Sequence, residues 1–449
     1  MENIFTDADA WYDHYESIEN LEEQIAFYHE TFDKIEDVVA SGFDDALLEE
    51  SFDIIDELVK SRRIDELETF VRAIKEKQSS FYEEHLDYFI KDLFHYFLHL
   101  GNDEKTKYYL DEFNANPDSD IDVFLSVNSL IALFGKDDWT IESTKKYLTT
   151  THINTEYDIE DVEIKLAHNV LPVITQKYYE LAQKTGTFDY ENWCKESEFY
   201  NLHHSPEIKE ITNKAFEIKH YKDTALLAHG EYFYDLQIQY LFARYMKEKL
   251  DMPFSASYPI AKFFYEYTLE YDTEYDSVLS IASLKQYFDD QIDFFDFYFF
   301  KNYVGVLGLV YFYDFLLEMD IIDEELHASA LAISQELQAE LLKGNSEAWH
   351  CNGFLNYWKK PKSYSDEQFE VILNHVKTSF AVPYEESATG SFFRFYTVNP
   401  NKRNSAFDIG FNPNRYGSSS GVGSNITRKK PERKKKSKPK PKNKKKKKK

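Results

Sequence analysis

The sequence contains little cysteine, glycine or proline. Its 449 residues include 2 Cys, 14 Gly and 12 Pro. Two cysteines, Cys194 and Cys351, are too few for a disulfide framework or a cysteine zinc ribbon, so we expect free thiols in a reducing compartment. The shortage of turn-forming residues argues against an all-β sandwich, which needs a turn roughly every 8–12 residues.

Targeting and membrane signals are missing as well. The N-terminal residues lack the basic and apolar blocks of a secretory signal peptide. The most apolar stretch, residues 303–313, lies between Lys301 and Asp314 and is shorter than the roughly 20 residues that cross a bilayer. We therefore expect a core helix there, no membrane span, and a cytoplasmic location, or a nuclear one in a eukaryotic cell.

Signatures of catalysis are also missing. The sequence has no phosphate-binding loop, dinucleotide fingerprint, nucleophile elbow or kinase motif. We predict no cofactor and assign no catalytic residue or metal ligand, but we keep two sets of residues as alternative metal ligands.

Apolar and aromatic residues, in contrast, are abundant. Hydrophobic residues make up 43% of the chain and aromatic residues 17%, which is enough for a folded body. The length exceeds the roughly 250–300 residues of a single core, so we expect more than one.

Helical periodicity dominates the chain up to about residue 380. Between residues 81 and 100, apolar side chains recur every three or four positions and form one stripe on a helix. Gly101 and Asn102 then end the predicted helix, because both tolerate a left-handed backbone. The same criteria predict helices over residues 44–60, 103–114, 140–148, 158–185, 222–250 and 325–343.

The helix ends recur roughly every 35–50 residues, a spacing typical of stacked helical pairs in solenoids. We therefore predict an all-α fold with solenoid-like stacking. Within residues 40–150, the pattern resembles tetratricopeptide repeats. Gly101 matches the turn glycine, Leu110 and Phe113 match packing positions, and Pro117 resembles the closing proline. The Trp, Leu-Gly and Tyr signature of that family's first helix is absent. The resemblance implies a scaffold that binds partner proteins.

We predict four regions along the chain. Residues 1–150 form the solenoid-like region, and residues 151–380 form a second helical region. Residues 381–416 are irregular, with β-forming residues on both sides of a turn-rich segment that favour a small hairpin. Residues 417–449 are a Ser/Gly linker and a lysine-rich tail, which we expect to be disordered because they have no apolar surface to bury.

The charge differs sharply between body and tail. The chain carries −28, but residues 428–449 hold 16 Lys or Arg and one acid, so the tail carries +15 and the other 427 residues carry −43. Such a body repels nucleic acid and anionic membranes, whereas the tail attracts RNA, DNA or other polyanions. The predicted polyanion-binding residues are Arg428, Lys429, Lys430, Arg433, Lys434, Lys435, Lys436, Lys438, Lys440, Lys442, Lys444, Lys445, Lys446, Lys447, Lys448 and Lys449.

The first alternative metal site is Asp289, Asp290 and Asp293. Carboxylates three and four positions apart share a helix face, and Mg²⁺ prefers such oxygen ligands. The second acidic motif of diphosphate-binding enzymes is not recognisable. A solvated acidic helix face is the competing interpretation.

The second alternative is a pair of Glu-x-x-His motifs, Glu217 with His220 and Glu347 with His350. Di-iron helical bundles use two such motifs on facing helices. Chance matches are expected in a chain rich in Glu. Two further pairs, His95 with His99 and His203 with His204, are interpreted as structural histidines because no zinc motif accompanies them.

The sequence thus favours a non-enzymatic scaffold whose acidic helical body binds a partner protein with a basic surface or peptide, and whose tail binds a polyanion. One alternative is a metal-dependent helical-bundle enzyme with its site in residues 217–350. The other is an RNA- or DNA-associated factor that acts through its tail.

Overall fold

A computed structural model describes residues 4–116, 120–150, 159–200, 202–227, 230–261, 300–343 and 353–381. Within these ranges, every regular element is helical and no strand occurs. The all-α prediction is therefore confirmed for the described part of the chain. The helices are α1 (Ala8–Glu16), α2 (Leu21–Lys34), α3 (Val38–Ser41), α4 (Asp44–Lys60), α5 (Ile64–Lys77), α6 (Ser79–Glu84), α7 (Leu86–His99), α8 (Asp103–Phe113), α9 (Ile121–Leu133), α10 (Asp137–Thr150), α11 (Ile159–Thr185), α12 (Tyr190–Glu198), α13 (Pro206–Phe216), α14 (Glu231–Leu250), α15 (254–261), α16 (Phe300–Glu318), α17 (Glu324–Lys343) and α18 (Asp366–Ala381). Short 3₁₀ helices cover Ile4–Thr6, Tyr221–Asp223 and Gly353–Tyr357.

Side-chain caps fix where many of these helices begin. The Asn20 side chain accepts a hydrogen bond from the Glu23 amide at 3.1 Å, and Asn102 accepts one from the Lys105 amide at 3.1 Å. Each cap satisfies an amide that has no partner inside the helix. After α7, Gly101 has a φ of +69°, so the predicted left-handed end of this helix is confirmed.

The helix predicted over residues 81–100 is wrong in one respect, because it breaks at His85 into α6 and α7. The ring centroids of Phe81 and Phe89 lie 5.5 Å apart. In a continuous helix, residues eight positions apart are separated by about 12 Å along the axis. The break allows the two rings to meet, and both are buried in the core.

The helix predicted over residues 222–250 is also wrong at its start, since α14 begins at Glu231. The buried Gln237 side chain explains the difference. Its Oε1 accepts a hydrogen bond from the Leu227 amide at 2.6 Å, and its Nε2 donates one to the Ala225 carbonyl at 3.2 Å. Residues 225–227 are thereby held in a non-helical form by a tertiary contact.

Neighbouring helices pack mostly in sequence order. Helix α2 packs on α4 and α5, α5 on α7, α7 on α8 and α9, and α9 on α10 and α11. Farther along, α13 packs on α14, α14 on α16, and α16 on α17. Their buried apolar side chains form a contiguous cluster that extends from Trp11 to Ile372.

The apolar stretch 303–313 lies within α16, and its apolar side chains from Val304 onward are buried, so the predicted core helix is confirmed. Within the described ranges, no helix is both long and apolar enough to cross a membrane. The predicted hairpin, the Ser/Gly linker and the lysine-rich tail lie outside the described residues. The division of the chain into four regions stays a prediction.

Helix α16 approaches α15 closely at Gly308. A Cβ added to Gly308 would lie 2.4 Å from Ile260 Cγ1. Gly308→Ala is therefore expected to lower the free energy of unfolding by about 1–3 kcal/mol, because the two helices must move apart. Urea unfolding followed by circular dichroism measures the effect. Ile260→Ala in the same chain should recover part of the loss, and an unchanged midpoint in Gly308→Ala would contradict the close approach.

Candidate functional site

Most of the predicted metal ligands lie outside the described residues. Asp289, Asp290 and Asp293 fall within residues 262–299, and Glu347 and His350 fall within residues 344–352. Both sets stay predictions. Within the described ranges, no group of three or more His, Cys, Asp or Glu side chains is placed to hold a metal ion.

Glu217 and His220 are described, and they lie in the turn after α13 rather than on a helix. The Glu217 side chain is exposed. The Nδ1 atom of His220 accepts a hydrogen bond from the Lys222 amide at 3.2 Å, and its Nε2 lies 3.8 Å from Glu248 Oε2. The two side chains therefore do not share a helix face as a Glu-x-x-His metal motif requires.

A buried arginine organises this turn instead. The Nη1 atom of Arg244 donates hydrogen bonds to the carbonyls of Ala215 at 2.9 Å and Glu217 at 2.7 Å. Its Nη2 donates to the Lys219 carbonyl, and its Nε donates to Glu248 Oε1 at 2.8 Å. These bonds satisfy carbonyls at the C-terminal end of α13, where the helix itself provides no donor.

The remaining predicted histidines have structural surroundings. His95 is 3% exposed on α7, and its ring centroid lies 5.8 Å from that of Phe94. His204 stacks on Trp193 with ring centroids 4.2 Å apart. Burial, with a smaller effect of the neighbouring His203, lowers the pKa of His204 to about 4, so its imidazole is neutral at physiological pH.

A Ser, a His and an Asp come together in the second half of the chain, a cluster that we did not anticipate from the sequence. His327 Nε2 lies 2.9 Å from Asp314 Oδ1, and the Ser363 amide donates to Asp314 Oδ2 at 3.1 Å. The three residues are separated by 13 to 49 positions in the sequence, so no short motif indicates the cluster. Asp314 and His327 are 3% and 9% exposed.

This cluster does not have the geometry of a catalytic triad. In a triad, one imidazole nitrogen faces the serine and the other faces the acid. Here Ser363 Oγ lies 3.4 Å from His327 Nε2, the same nitrogen that faces Asp314, and the Ser363 hydroxyl donates to Asp314 Oδ1. The Asp314 carboxylate thus joins α16 and α17 to the segment before α18.

An acidic surface on α1 and α4 contains side chains whose charges act on one another. We call it the acidic patch, and its members are Tyr12, Tyr15, Glu16, Glu49, Glu50 and Asp53. Residues 1–60 contain 19 Asp or Glu and only two Lys, Lys34 and Lys60, so the surroundings of the patch are strongly acidic as well. That imbalance is the sequence signal that could have located the patch.

Glu50 is the unusual member of the acidic patch. It is 2% exposed, and its Oε2 atom has no hydrogen-bond partner in the protein. Burial and then the charges of Asp53, Glu16 and Glu49 raise the pKa of Glu50 to about 7. About half of the Glu50 side chains are therefore protonated at neutral pH.

Tyr15 on α1 is the second buried member of the patch, and the charge of Glu50 acts on it. It is 2% exposed, and its hydroxyl has no hydrogen-bond partner in the protein. Burial and then the charges of Glu50, Asp53 and Glu16 raise the pKa of Tyr15 well above its usual range. Burial of a polar group without a partner costs about 1–3 kcal/mol, so both groups reduce the stability of the fold.

Glu50→Gln is expected to stabilise the protein in a pH-dependent way. The folded protein raises the pKa of Glu50 from 4.5 to about 7, so ionisation penalises the folded state increasingly as the pH rises through this window. Below it, Glu50 is protonated in both states and the penalty disappears. We expect a gain of about 2–3 kcal/mol at pH 8 and almost none at pH 4.5.

Urea unfolding at several pH values measures this gain. Glu30→Gln is a matched control, because Glu30 is exposed on α2 and is not among the groups that shift the pKa of Glu50. A gain for Glu50→Gln that does not change with pH would contradict the raised pKa.

Comparisons of the chain with protein-family models, curated proteins and solved structures give no match. The tetratricopeptide resemblance therefore stays a similarity of residue pattern. The function has to be inferred from the residues and contacts of this chain.

Proposed function

We propose that this protein is a non-enzymatic scaffold. Its acidic helical body binds a basic segment of a partner protein, and its lysine-rich tail binds a polyanion. We further propose that the helical pairs of the N-terminal part stack as a solenoid, which presents a long exposed surface to partners. The observation that carries the proposal is a set of regularly spaced links between helices.

These links are ion pairs between residues 33 to 44 positions apart in the sequence. They connect α2 with α5, α5 with α8, and α8 with the residue before α10. Similar spacing continues in hydrogen bonds to α11, where Asn169 accepts from Ser129 at 2.8 Å across 40 positions. The ion pairs are Glu22–Arg63, Asp33–Lys77, Lys75–Glu112, Glu68–Lys105 and Asp103–Lys136.

Links with similar sequence separations are typical of stacked repeats, because each repeat contacts mainly the next one. The lysines that take part in these links are paired with carboxylates of neighbouring helices, and acidic residues outnumber basic ones in the chain as a whole. Exposed aromatic side chains supply apolar contact area beside them, as at Tyr108, which is 57% exposed. An acidic surface with aromatic residues fits a basic polypeptide better than a nucleic acid.

The proposal is tested with the full-length protein and with a chain that lacks residues 428–449. The chain that lacks residues 428–449 should retain a lysine-rich peptide at low salt and release it at high salt, and it should not retain a glutamate-rich peptide of equal length. Removal of the tail should abolish RNA and DNA retention but leave binding of the lysine-rich peptide. Unchanged RNA and DNA retention would refute the tail's role, and failure to bind the basic peptide would refute the body's role.

A further inference from the structure

We propose that the outer face of α4 binds an arginine-bearing basic segment of a partner protein. This α4 face consists of Asp45, Glu49 and Phe52, together with Tyr88 of α7, which contacts Phe52. The inference rests on the proposed function and deepens it, because it locates a contact surface on the acidic body and names the side chain that the surface recognises.

A ring contact between two helices lies at the centre of the α4 face. Phe52 on α4 and Tyr88 on α7 have ring centroids 5.4 Å apart, and their planes are inclined at 62° in an edge-to-face arrangement. Phe52 is 38% exposed, and Tyr88 is half-buried. Both rings lie outside the contiguous buried cluster of the core. The pair therefore offers aromatic area at the surface, open to a partner.

Carboxylates surround this aromatic area on α4. Asp45, Glu49 and Phe52 follow one another at steps of four and three positions, which places them in one stripe along the helix. Side chains at such spacings have Cβ atoms about 5–6 Å apart, so a group that lies against the Phe52 ring is within reach of the Glu49 carboxylate. Apart from Phe52, every side chain described as exposed on α4 is acidic, and these are Asp45, Glu49, Asp53, Asp56 and Glu57.

The protein places no exposed cation beside the α4 face. Neither Asp45 nor Glu49 forms an ion pair or a hydrogen bond through its side chain with another described residue. Lys91, three positions after Tyr88 on α7, is half-buried and has an interaction of its own. No Lys or Arg side chain is described as exposed on α4, α6 or α7. Charge complementarity therefore calls for a positive group on the partner.

The combination of a ring and a carboxylate fits arginine better than lysine. A guanidinium is planar, so it can lie on an aromatic ring while its donors reach a carboxylate beside the ring. A lysine ammonium is a compact and strongly hydrated charge without a flat face. Nucleic acids and anionic membranes are repelled by the carboxylates. A metal ion is not favoured, because the described residues include no group of three or more His, Cys, Asp or Glu placed to hold one.

The stripe also indicates how basic residues should be spaced in the partner. Asp45 and Phe52 are seven positions apart on a helix, which corresponds to about 10 Å along its axis. An extended peptide covers that distance in about three residues. A segment with an arginine at every third position can therefore place one guanidinium against Phe52 and Glu49 and the next one near Asp45.

The experiment is a fluorescence anisotropy titration at low salt with two labelled dodecapeptides, one of four Arg-Gly-Gly units and one of four Lys-Gly-Gly units. The chain that lacks residues 428–449 is titrated in parallel with the full-length protein, so that competition by the tail is seen directly. The variants are Phe52→Leu and Glu49→Gln. Their matched controls are Phe199→Leu, at a phenylalanine 49% exposed directly after α12, and Glu30→Gln on the exposed side of α2. Circular dichroism verifies that each variant and the shortened chain keep the helix content of the full-length protein.

We expect the chain without the tail to bind the arginine peptide about threefold or more tightly than the lysine peptide. Phe52→Leu should weaken binding of the arginine peptide about two- to fivefold and remove most of this preference, because leucine keeps an apolar side chain but has no ring. Glu49→Gln should weaken binding of both peptides about two- to fivefold. Each control should change either affinity by less than about twofold.

Two results would overturn the α4 face and leave the proposed function intact. One is equal binding of the two peptides by the chain without the tail, and the other is a Phe52→Leu variant that behaves like Phe199→Leu. If the chain without the tail binds neither basic peptide at low salt, both proposals fail.

Discussion

Arg244→Met is expected to lower the free energy of unfolding by about 3–5 kcal/mol, because it removes the donors to the Glu248 carboxylate and to several backbone carbonyls. The side chain of Arg244 is 1% exposed, whereas that of its partner Glu248 is 19% exposed. Methionine fills similar space but donates no hydrogen bonds. The carbonyls of Ala215 and Glu217 would lose their donor, and Glu248 Oε1 would keep only the hydroxyl of Tyr179, at 3.1 Å.

Urea unfolding of the full-length protein measures this loss. Arg63→Met is the matched control, since Arg63 pairs with Glu22 and Glu66 at the surface, where such pairs contribute about 0–1 kcal/mol. Arg244→Lys should lose less than Arg244→Met, because an ammonium restores the charge but not the planar set of donors. Equal losses for Arg244→Met and Arg63→Met would contradict the role of Arg244 as the organiser of the turn after α13.

Periodicity and helix ends were sufficient to predict much of the fold. The helix over residues 44–60 was placed correctly, and Gly101 was recognised as a stop, because amphipathic spacing and backbone freedom are local properties. The errors have a common cause. The break at His85 and the extended segment before α14 depend on Phe89 and Gln237, which act through contacts that no local pattern encodes.

The candidate site was predictable only in outline. The excess of acids over bases in the body outside the tail was visible in the sequence and favoured a partner with a basic surface. Nothing in the spacing of α4 distinguishes Glu50 from its neighbour Glu49, although Glu50 is buried and Glu49 is exposed in the structure. The metal candidates show that spacing alone can also mislead. Glu217 and His220 have the spacing of a helical motif but lie where the helix has already ended.

The acidic patch and the Arg244 turn show two different uses of a buried charge. Arg244 is fully paired, so removal of its partners should only destabilise the protein. The Oε2 atom of Glu50 has no hydrogen-bond partner in the protein, so neutralisation of Glu50 should stabilise the fold. The two substitutions are therefore expected to change the free energy of unfolding in opposite directions.

Asp314→Asn should also have a large effect, about 3 kcal/mol, because its carboxylate accepts three hydrogen bonds in a buried place. In asparagine, one of the two acceptor oxygens is replaced by an NH₂ donor. That donor would face either the Ser363 amide or the two groups that contact Oδ1, which are the Ser363 hydroxyl and His327. Helices α16 and α17 and the segment before α18 would then lose their common link. The expected result is a lower urea midpoint with no change in helix content at zero urea.

A double-mutant cycle decides whether the three residues act as one unit. His327→Gln and Asp314→Asn, measured singly and together, should show a coupling of at least about 1 kcal/mol if the 2.9 Å contact contributes to stability. Asp320→Asn is the matched control. Asp320 is exposed with a φ of +56°, a conformation that asparagine tolerates, so the change should stay within about 0.5 kcal/mol. Additive effects of the two substitutions would show that Asp314 and His327 are adjacent without depending on each other.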